Sequence, residues 1–88
     1  MTTLTIISKP DCHLCDVARE IVDNVVAELP EGAVDVEELS IATDPDLYDQ
    51  WWEKIPVVLI DDRLHAHWRL SADRLRSALS EARTEENA

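Results

Sequence analysis

The chain of 88 residues is long enough for one small domain and too short for a second hydrophobic core. Hydrophobic residues make up 45% and charged residues 31% of the chain, which is typical of a folded globular protein and argues against disorder. The net charge of −11 argues against binding to nucleic acids and to anionic membrane surfaces, because both need clustered basic residues.

The first third of the chain predicts a strand, a helix and a second strand. Residues 4–8 are rich in β-branched side chains and stop before Pro10, which predicts a buried strand. Over residues 14–29, apolar positions recur at helical spacing with charged residues opposite, which predicts an amphipathic helix. Residues 34–39 predict a second strand, parallel to the first through a right-handed crossover. The apolar stripe expected to face the core consists of Leu14, Val17, Ala18, Ile21, Val22, Val25, Val26 and Leu29.

A short helix and a buried strand follow. Asp44 before Pro45 is typical of a capped helix start, and the helix is expected to run through about residue 52. Trp51 and Trp52 point about 100° apart on such a helix, so one is expected in the core, and the other can form an apolar wall near Ile55-Pro56. Residues 57–60 are continuously apolar and predict a strand.

The chain closes with a hairpin and a last helix. Asp61-Asp62 predicts a turn into a short edge strand at residues 63–66. Ser71 suits the start of a helix, whose inward positions are Leu75, Ala78, Leu79 and Ala82. One domain is therefore expected over residues 1–83, followed by a polar tail at 84–88 with no reason to be ordered.

The two cysteines lie at the first strand-to-helix junction, in Cys12-His13-Leu14-Cys15. A helix N-terminus favours a thiolate, and Lys9 and a protonated His13 act in the same direction, whereas the like charges of Asp11 and Asp16 oppose it, so the sequence leaves the net direction open. Cys15, one turn further, is close enough for a disulfide and is expected to be more buried. Cys12 is therefore predicted to attack and Cys15 to resolve.

The sequence also bears on the cell compartment and on metal binding. It contains no targeting segment and no apolar run long enough to span a membrane, so a cytoplasmic location is expected, where thiols stay reduced. Four residues, Cys12, Cys15, His65 and His67, would give a Cys2His2 ligand set for zinc if the end of the predicted edge strand reaches the cysteines. We favour redox chemistry, and expect no metal and two half-exposed histidines on the edge strand.

These features together resemble a known family. The β-α-β-α-β-β-α order, the CxxC at the first junction and Ile55-Pro56 before an apolar strand are similar to a glutaredoxin-like member of the thioredoxin superfamily, over residues 4–83. Residues 9–16 resemble small bacterial glutaredoxin-like proteins in particular. The resemblance implies an α/β three-layer sandwich with a four-stranded mixed sheet and three helices. It also implies a cis Pro56, with Ile55 offering main-chain hydrogen bonds to a peptide or glutathione.

Two departures from the family concern glutathione. His13-Leu14 replaces the Pro-Tyr pair of typical dithiol glutaredoxins, and residues 65–71 replace a Gly-Gly pair followed by an acid. The bulky Trp68 stands where the backbone would approach glutathione closely. Arg69 can still pair with a carboxylate, and Ser71 lies at an anion-friendly helix start.

The sequence therefore predicts an enzyme, a thiol-disulfide oxidoreductase that uses the Cys12/Cys15 couple on protein or mixed disulfides. Its predicted substrate-binding residues are Lys9, His13, Ile55, Pro56, Trp68, Arg69 and Ser71. We expect a monomer without a bound cofactor, whose partners are a disulfide-containing protein and a cellular reductant, with glutathione as a possible co-substrate. The alternative is a catalytically weak thioredoxin-like binding or regulatory module, because residues 1–62 carry fifteen acids against three bases and would attract a basic partner.

Overall fold

The computed structural model describes residues 2–86 and confirms the predicted order of elements. The elements are β1 (Thr2–Ser8), α1 (His13–Ala27), β2 (Val34–Ser40), α2 (Pro45–Trp51), β3 (Val57–Ile60), β4 (Arg63–His67) and α3 (Ala72–Glu86). They form one mixed sheet in the order β2-β1-β3-β4. β1 is parallel to β2 and antiparallel to β3, and β3 is antiparallel to β4. The predicted α/β class is therefore confirmed.

Apolar side chains from the sheet form two clusters, because successive residues of a strand point to opposite faces. The larger cluster joins the sheet to α1 and α3, and its buried members are Leu4, Ile6, Val22, Val25, Val34, Val58, Ile60, Leu75 and Leu79. The smaller cluster joins the sheet to α2, and its buried members are Ile7, Cys15, Ile41, Ile55 and Val57. Two helices thus cover one face and one helix the other, which is the expected three-layer sandwich. Within residues 2–86, no helix is long and apolar enough to cross a membrane.

The start of α2 follows the prediction closely. The Asp44 carboxylate accepts hydrogen bonds from the N–H groups of Asp46 at 3.0 Å and Leu47 at 3.3 Å, and Pro45 occupies the first turn. Trp51 is half-buried against the smaller cluster, whereas Trp52 is exposed and stacks on Tyr48 at 6.2 Å. One tryptophan of the pair therefore faces the core, as expected.

The last helix begins as predicted and continues further. The Ser71 hydroxyl oxygen accepts a hydrogen bond from the Arg74 N–H at 3.4 Å, next to the first turn. α3 then extends to Glu86, so the backbone of residues 84–86 is helical, where the sequence predicted a disordered tail. This stretch contains no glycine or proline to stop the helix. Residues 87 and 88 lie outside the described part of the chain.

The predicted hairpin is present and carries an irregularity. Asp61 and Asp62 have φ values of 50° and 66°, as a two-residue type I′ turn requires. Further along, Val58 pairs with Ala66 but Leu59 pairs with Leu64, so His65 is the extra residue of a β-bulge. The bulge interrupts the alternation of side chains that would place His65 and His67 on the same side.

An ion-pair network ties α1 to the outer strand β2. The Arg19 guanidinium donates to both oxygens of Glu38, at 2.7 and 2.8 Å, and to Asp16 at 2.8 Å. The Ser8 hydroxyl donates to the same Glu38 carboxylate at 3.0 Å. The hydrogen bonds from Arg19 are the main reason that the pKa of Glu38 is lowered. Elsewhere β2 presents Asp35 and Glu37 to solvent as the exposed edge of the sheet.

Candidate redox site

The loop after β1 brings both cysteines to the start of α1. Asp11 adopts a left-handed backbone with φ of 56°, and Cys12 is the extended N-cap residue. The Cys12 sulfur accepts a hydrogen bond from the Cys15 N–H at 3.1 Å. The two Cα atoms lie 5.2 Å apart, and the sulfurs form a disulfide. Cys12 therefore takes the capping position that serine or aspartate commonly occupies, and its sulfur faces the positive end of the helix.

The two sulfurs differ in exposure. Cys15 is 1% exposed and packs in the smaller cluster beside Ile7 and Val57. Cys12 is half-buried at the edge of that cluster. Cys12 is therefore the more exposed of the two cysteines.

Ile55 and Pro56 lie beside the cysteine pair, as the resemblance implied. Both are buried, and Ile55 belongs to the same cluster as Cys15. The bond between Ile55 and Pro56 is cis. Within residues 2–86, the Ile55 N–H and C=O make no hydrogen bond to the chain.

The polar residues predicted around the site are all at the surface. Lys9 and His13 flank Cys12 on the loop and in the first helical turn, and both are exposed. Arg69 and Ser71 are also exposed, on the segment that leads into α3. Arg69 makes no ion pair with any other described residue.

Two members of the apolar stripe that was predicted to face the core are exposed, so the prediction was wrong for them. Leu14 and Val17 are 45% and 40% exposed rather than buried. The buried positions of α1 are Cys15, Ala18, Val22 and Val25, a narrow stripe at three- and four-residue spacing. At 100° per residue, Val17 lies about 120° from the centre of that stripe and points away from the core, whereas Leu14 lies about 60° from it, at its margin.

These side chains line a groove that the sequence did not predict. A cavity of about 250 Å³ is bounded by Leu14, Val17, Ala18, Trp68, Arg69 and Leu70. Leu14 belongs to the CxxC motif itself, so the groove begins next to the redox pair. Its walls are apolar, and Arg69 is the charged side chain among the residues that line it.

Trp68 has an unusual backbone and several partners. Its φ is 64°, a left-handed conformation that costs a non-glycine residue about 1–2 kcal/mol. The Trp68 N–H donates to the carbonyls of Pro56 at 2.9 Å and Lys54 at 3.3 Å, and its indole N–H donates to Glu53 at 2.7 Å. The bulky residue thus takes the backbone conformation of a glycine, while its 53% exposed ring stands beside the groove.

The two edge-strand histidines do not join the cysteines. His65 is half-buried and lines a cavity of about 280 Å³ between β4 and α3. Burial, and then the charge of Arg74, lower its pKa. His67 contacts the ring of Trp68 edge-on at 4.8 Å. Among residues 2–86, no three His, Cys, Asp or Glu side chains are grouped to hold a metal ion.

The fold and the CxxC pair define a protein of the thioredoxin-like class. Chloroplastic thioredoxin z, known from a crystal structure, superposes with a TM-score of 0.75 at 17% identity, over 92% of this chain and 77% of its own. At that identity the likeness concerns the fold alone.

The family is narrower than the class. Residues 3–80 match the family described as Glutaredoxin-like domain (DUF836), and the chain belongs to it. The X-ray structure of protein XcR50 from X. campestris is similar, with 28% identity and a TM-score of 0.70 over 89% of this chain and 96% of that one. Uncharacterized protein Rv0508 of Mycobacterium tuberculosis is 26% identical over 77 residues, covering 85% of this chain and 79% of its own.

Proposed function

We propose that this protein is a thiol-disulfide oxidoreductase in which Cys12 attacks and Cys15 resolves. The observation that carries the proposal is the contrast at the start of α1. Cys12 is half-buried and its sulfur accepts a hydrogen bond from the Cys15 N–H at the helix N-terminus, while Cys15 is buried and forms the disulfide with Cys12. Hydrogen bonding and the helix dipole both stabilise a thiolate at Cys12, which is the attacking form.

The reaction balances over two exchange steps. The Cys12 thiolate attacks one sulfur of a substrate disulfide, which forms a mixed disulfide and releases the other sulfur as a thiolate that takes up a proton. Cys15 then loses its proton and attacks the Cys12 sulfur, which releases the second substrate thiol. Two electrons pass from the protein to the substrate, and a cellular thiol reductant restores the Cys12/Cys15 dithiol.

The proposed substrate site surrounds Cys12. Ile55 and Pro56 supply main-chain contacts, Trp68 supplies an apolar wall, and Arg69 can pair with a carboxylate. The remaining predicted residues, Lys9, His13 and Ser71, form a polar rim. The apolar groove suits a polypeptide better than glutathione, which has no large apolar side chain, so a protein disulfide in a reducing compartment is the proposed substrate.

The test is to trap the mixed disulfide. Reduced Cys15→Ser protein is offered glutathione disulfide or the disulfide-linked dimer of a short peptide with apolar residues beside its cysteine. Mass spectrometry should find a stable adduct at Cys12 that forms faster with the peptide, and none with Cys12→Ser.

Two outcomes contradict the proposal. If Cys15 is alkylated faster than Cys12 in the reduced wild-type protein, the two roles are reversed. If the protein folds but neither disulfide reacts, the CxxC is not an exchange centre and the alternative of a binding module gains support.

A further inference from the structure

The segment from Glu53 to Pro56 is held from two sides. On one side, the Lys54 N–H donates to the Trp51 carbonyl at 2.8 Å, and the Lys54 ammonium lies 5.9 Å from the centre of the Trp51 ring. On the other side, Trp68 donates its backbone and indole N–H groups to the carbonyls of Glu53, Lys54 and Pro56. The first attachment comes from α2, and the second comes from a residue 12 to 15 positions later in the chain.

Packing alone does not account for a tryptophan at this position. More than half of its surface is exposed, and a glycine would adopt the same left-handed backbone at lower cost. The backbone N–H would remain in a glycine variant. What the tryptophan adds is the indole N–H, which reaches the Glu53 carbonyl at 2.7 Å, and the ring that faces the groove.

Trp68 donates hydrogen bonds to the carbonyls of Glu53, Lys54 and Pro56. These residues lie directly before and after Ile55 in the chain. Ile55 packs with Cys15, and its own N–H and C=O are unused within residues 2–86. Fixing the neighbouring carbonyls therefore fixes where the main chain of Ile55 stands relative to the cysteine pair.

We propose that Trp68 is a positioning residue, whose two N–H groups hold the 53–56 segment in the orientation that presents the Ile55 main chain to a substrate polypeptide beside Cys12. The inference rests on the proposed exchange activity. In this role Trp68 aligns the peptide and takes no part in the chemistry of the Cys12 sulfur. A small disulfide, which makes no main-chain contacts, does not need the alignment.

The experiment compares Trp68→Phe, which keeps a ring but loses the indole N–H, with Trp52→Phe, whose tryptophan is similarly exposed and stacks on Tyr48 instead. Each protein is reduced, checked for folding, and reacted with the peptide disulfide and with 2-hydroxyethyl disulfide. Trp68→Phe should react about three- to tenfold more slowly with the peptide, the effect of one lost hydrogen bond, and its loss of rate on the small disulfide should be clearly smaller. Trp52→Phe should match wild type with both.

Equal rates of Trp68→Phe and wild type on the peptide would overturn the inference, and so would a parallel loss on both substrates, which indicates general damage. A second measurement is independent of activity. In the NMR spectrum of the wild-type protein, the indole N–H of Trp68 should show a smaller temperature coefficient than that of Trp52, because it is hydrogen-bonded. Equal coefficients refute the attachment itself, whereas absent exchange in wild type with a hydrogen-bonded Trp68 refutes only the proposed function.

Discussion

Removing the charge of Glu38 should destabilise the protein near neutral pH and have little effect in acid. In Glu38→Gln the side chain keeps its size, but the paired hydrogen bonds from Arg19 no longer meet a carboxylate. The folded-state pKa of Glu38 is lowered, chiefly by those bonds, from an ordinary value of 4.5. A lowered folded pKa means that the ionised carboxylate stabilises the fold above about pH 4.5, and that this contribution is lost as the pH falls through the folded value.

The size of the effect follows from exposure. Both side chains of the pair are 39% exposed, so solvent screens the charges and the value lies in the range of surface ion pairs. The two parallel hydrogen bonds and the added bond from Ser8 place it towards the upper end, at about 0.5–1 kcal/mol. In a domain of this size that corresponds to a decrease in Tm of about 2–8 °C.

Urea unfolding at pH 7 and at pH 3 measures the difference between Glu38→Gln and wild type. Glu37→Gln is the matched control, because Glu37 is the neighbouring exposed acid on β2 and makes no ion pair with the described residues. Glu38→Gln should be less stable at pH 7, and the difference should shrink at pH 3. A difference that is equal at both pH values, or equal to that of Glu37→Gln, refutes the reasoning.

Two further predictions concern the hairpin. Burial lowers the pKa of His65 below 6.5, so the unfolded chain takes up a proton more readily than the folded protein, and stability should fall as the pH drops below about 6.5. Thermal unfolding between pH 7.5 and pH 5 should therefore show a smaller decrease in Tm for His65→Gln than for wild type. Equal decreases would contradict this. Asp62→Gly should raise the free energy of unfolding by about 0.5–1 kcal/mol, since its φ of 66° suits glycine, whereas Asp62→Ala should not. A gain with alanine as large as with glycine would show that the backbone is not the cause.

Most of the fold could be predicted because its signals are local. The Asp44 cap, the apolar run of β3 and the aspartate turn each depend on residues a few positions apart. The CxxC at the first junction placed Cys12 at a helix start for the same reason. Such features depend on the chemistry of neighbouring residues, which the sequence shows directly.

The groove and the role of Trp68 could not be predicted in this way. Whether Leu14 and Val17 are buried depends on how far neighbouring elements cover α1, and a helical period alone does not contain that information. The contacts of Trp68 with Glu53 and Lys54 join residues 14 and 15 positions apart through a left-handed backbone. Its sequence signal was only that a bulky residue stands where typical dithiol glutaredoxins, which the sequence resembles, have a glycine pair.

The acidic edge of the sheet has a consequence for association between copies. An exposed edge strand offers unpaired N–H and C=O groups to another chain, and unprotected edges lead to aggregation. β2 is such an edge, yet it carries Asp35, Glu37 and Glu38, and among the residues that the structure describes Arg19 pairs with Glu38 alone of these three. Two copies that met along β2 would bring these carboxylates together, and like charges on facing strands repel each other. The acids of β2 thus disfavour pairing of two copies along this edge of the sheet.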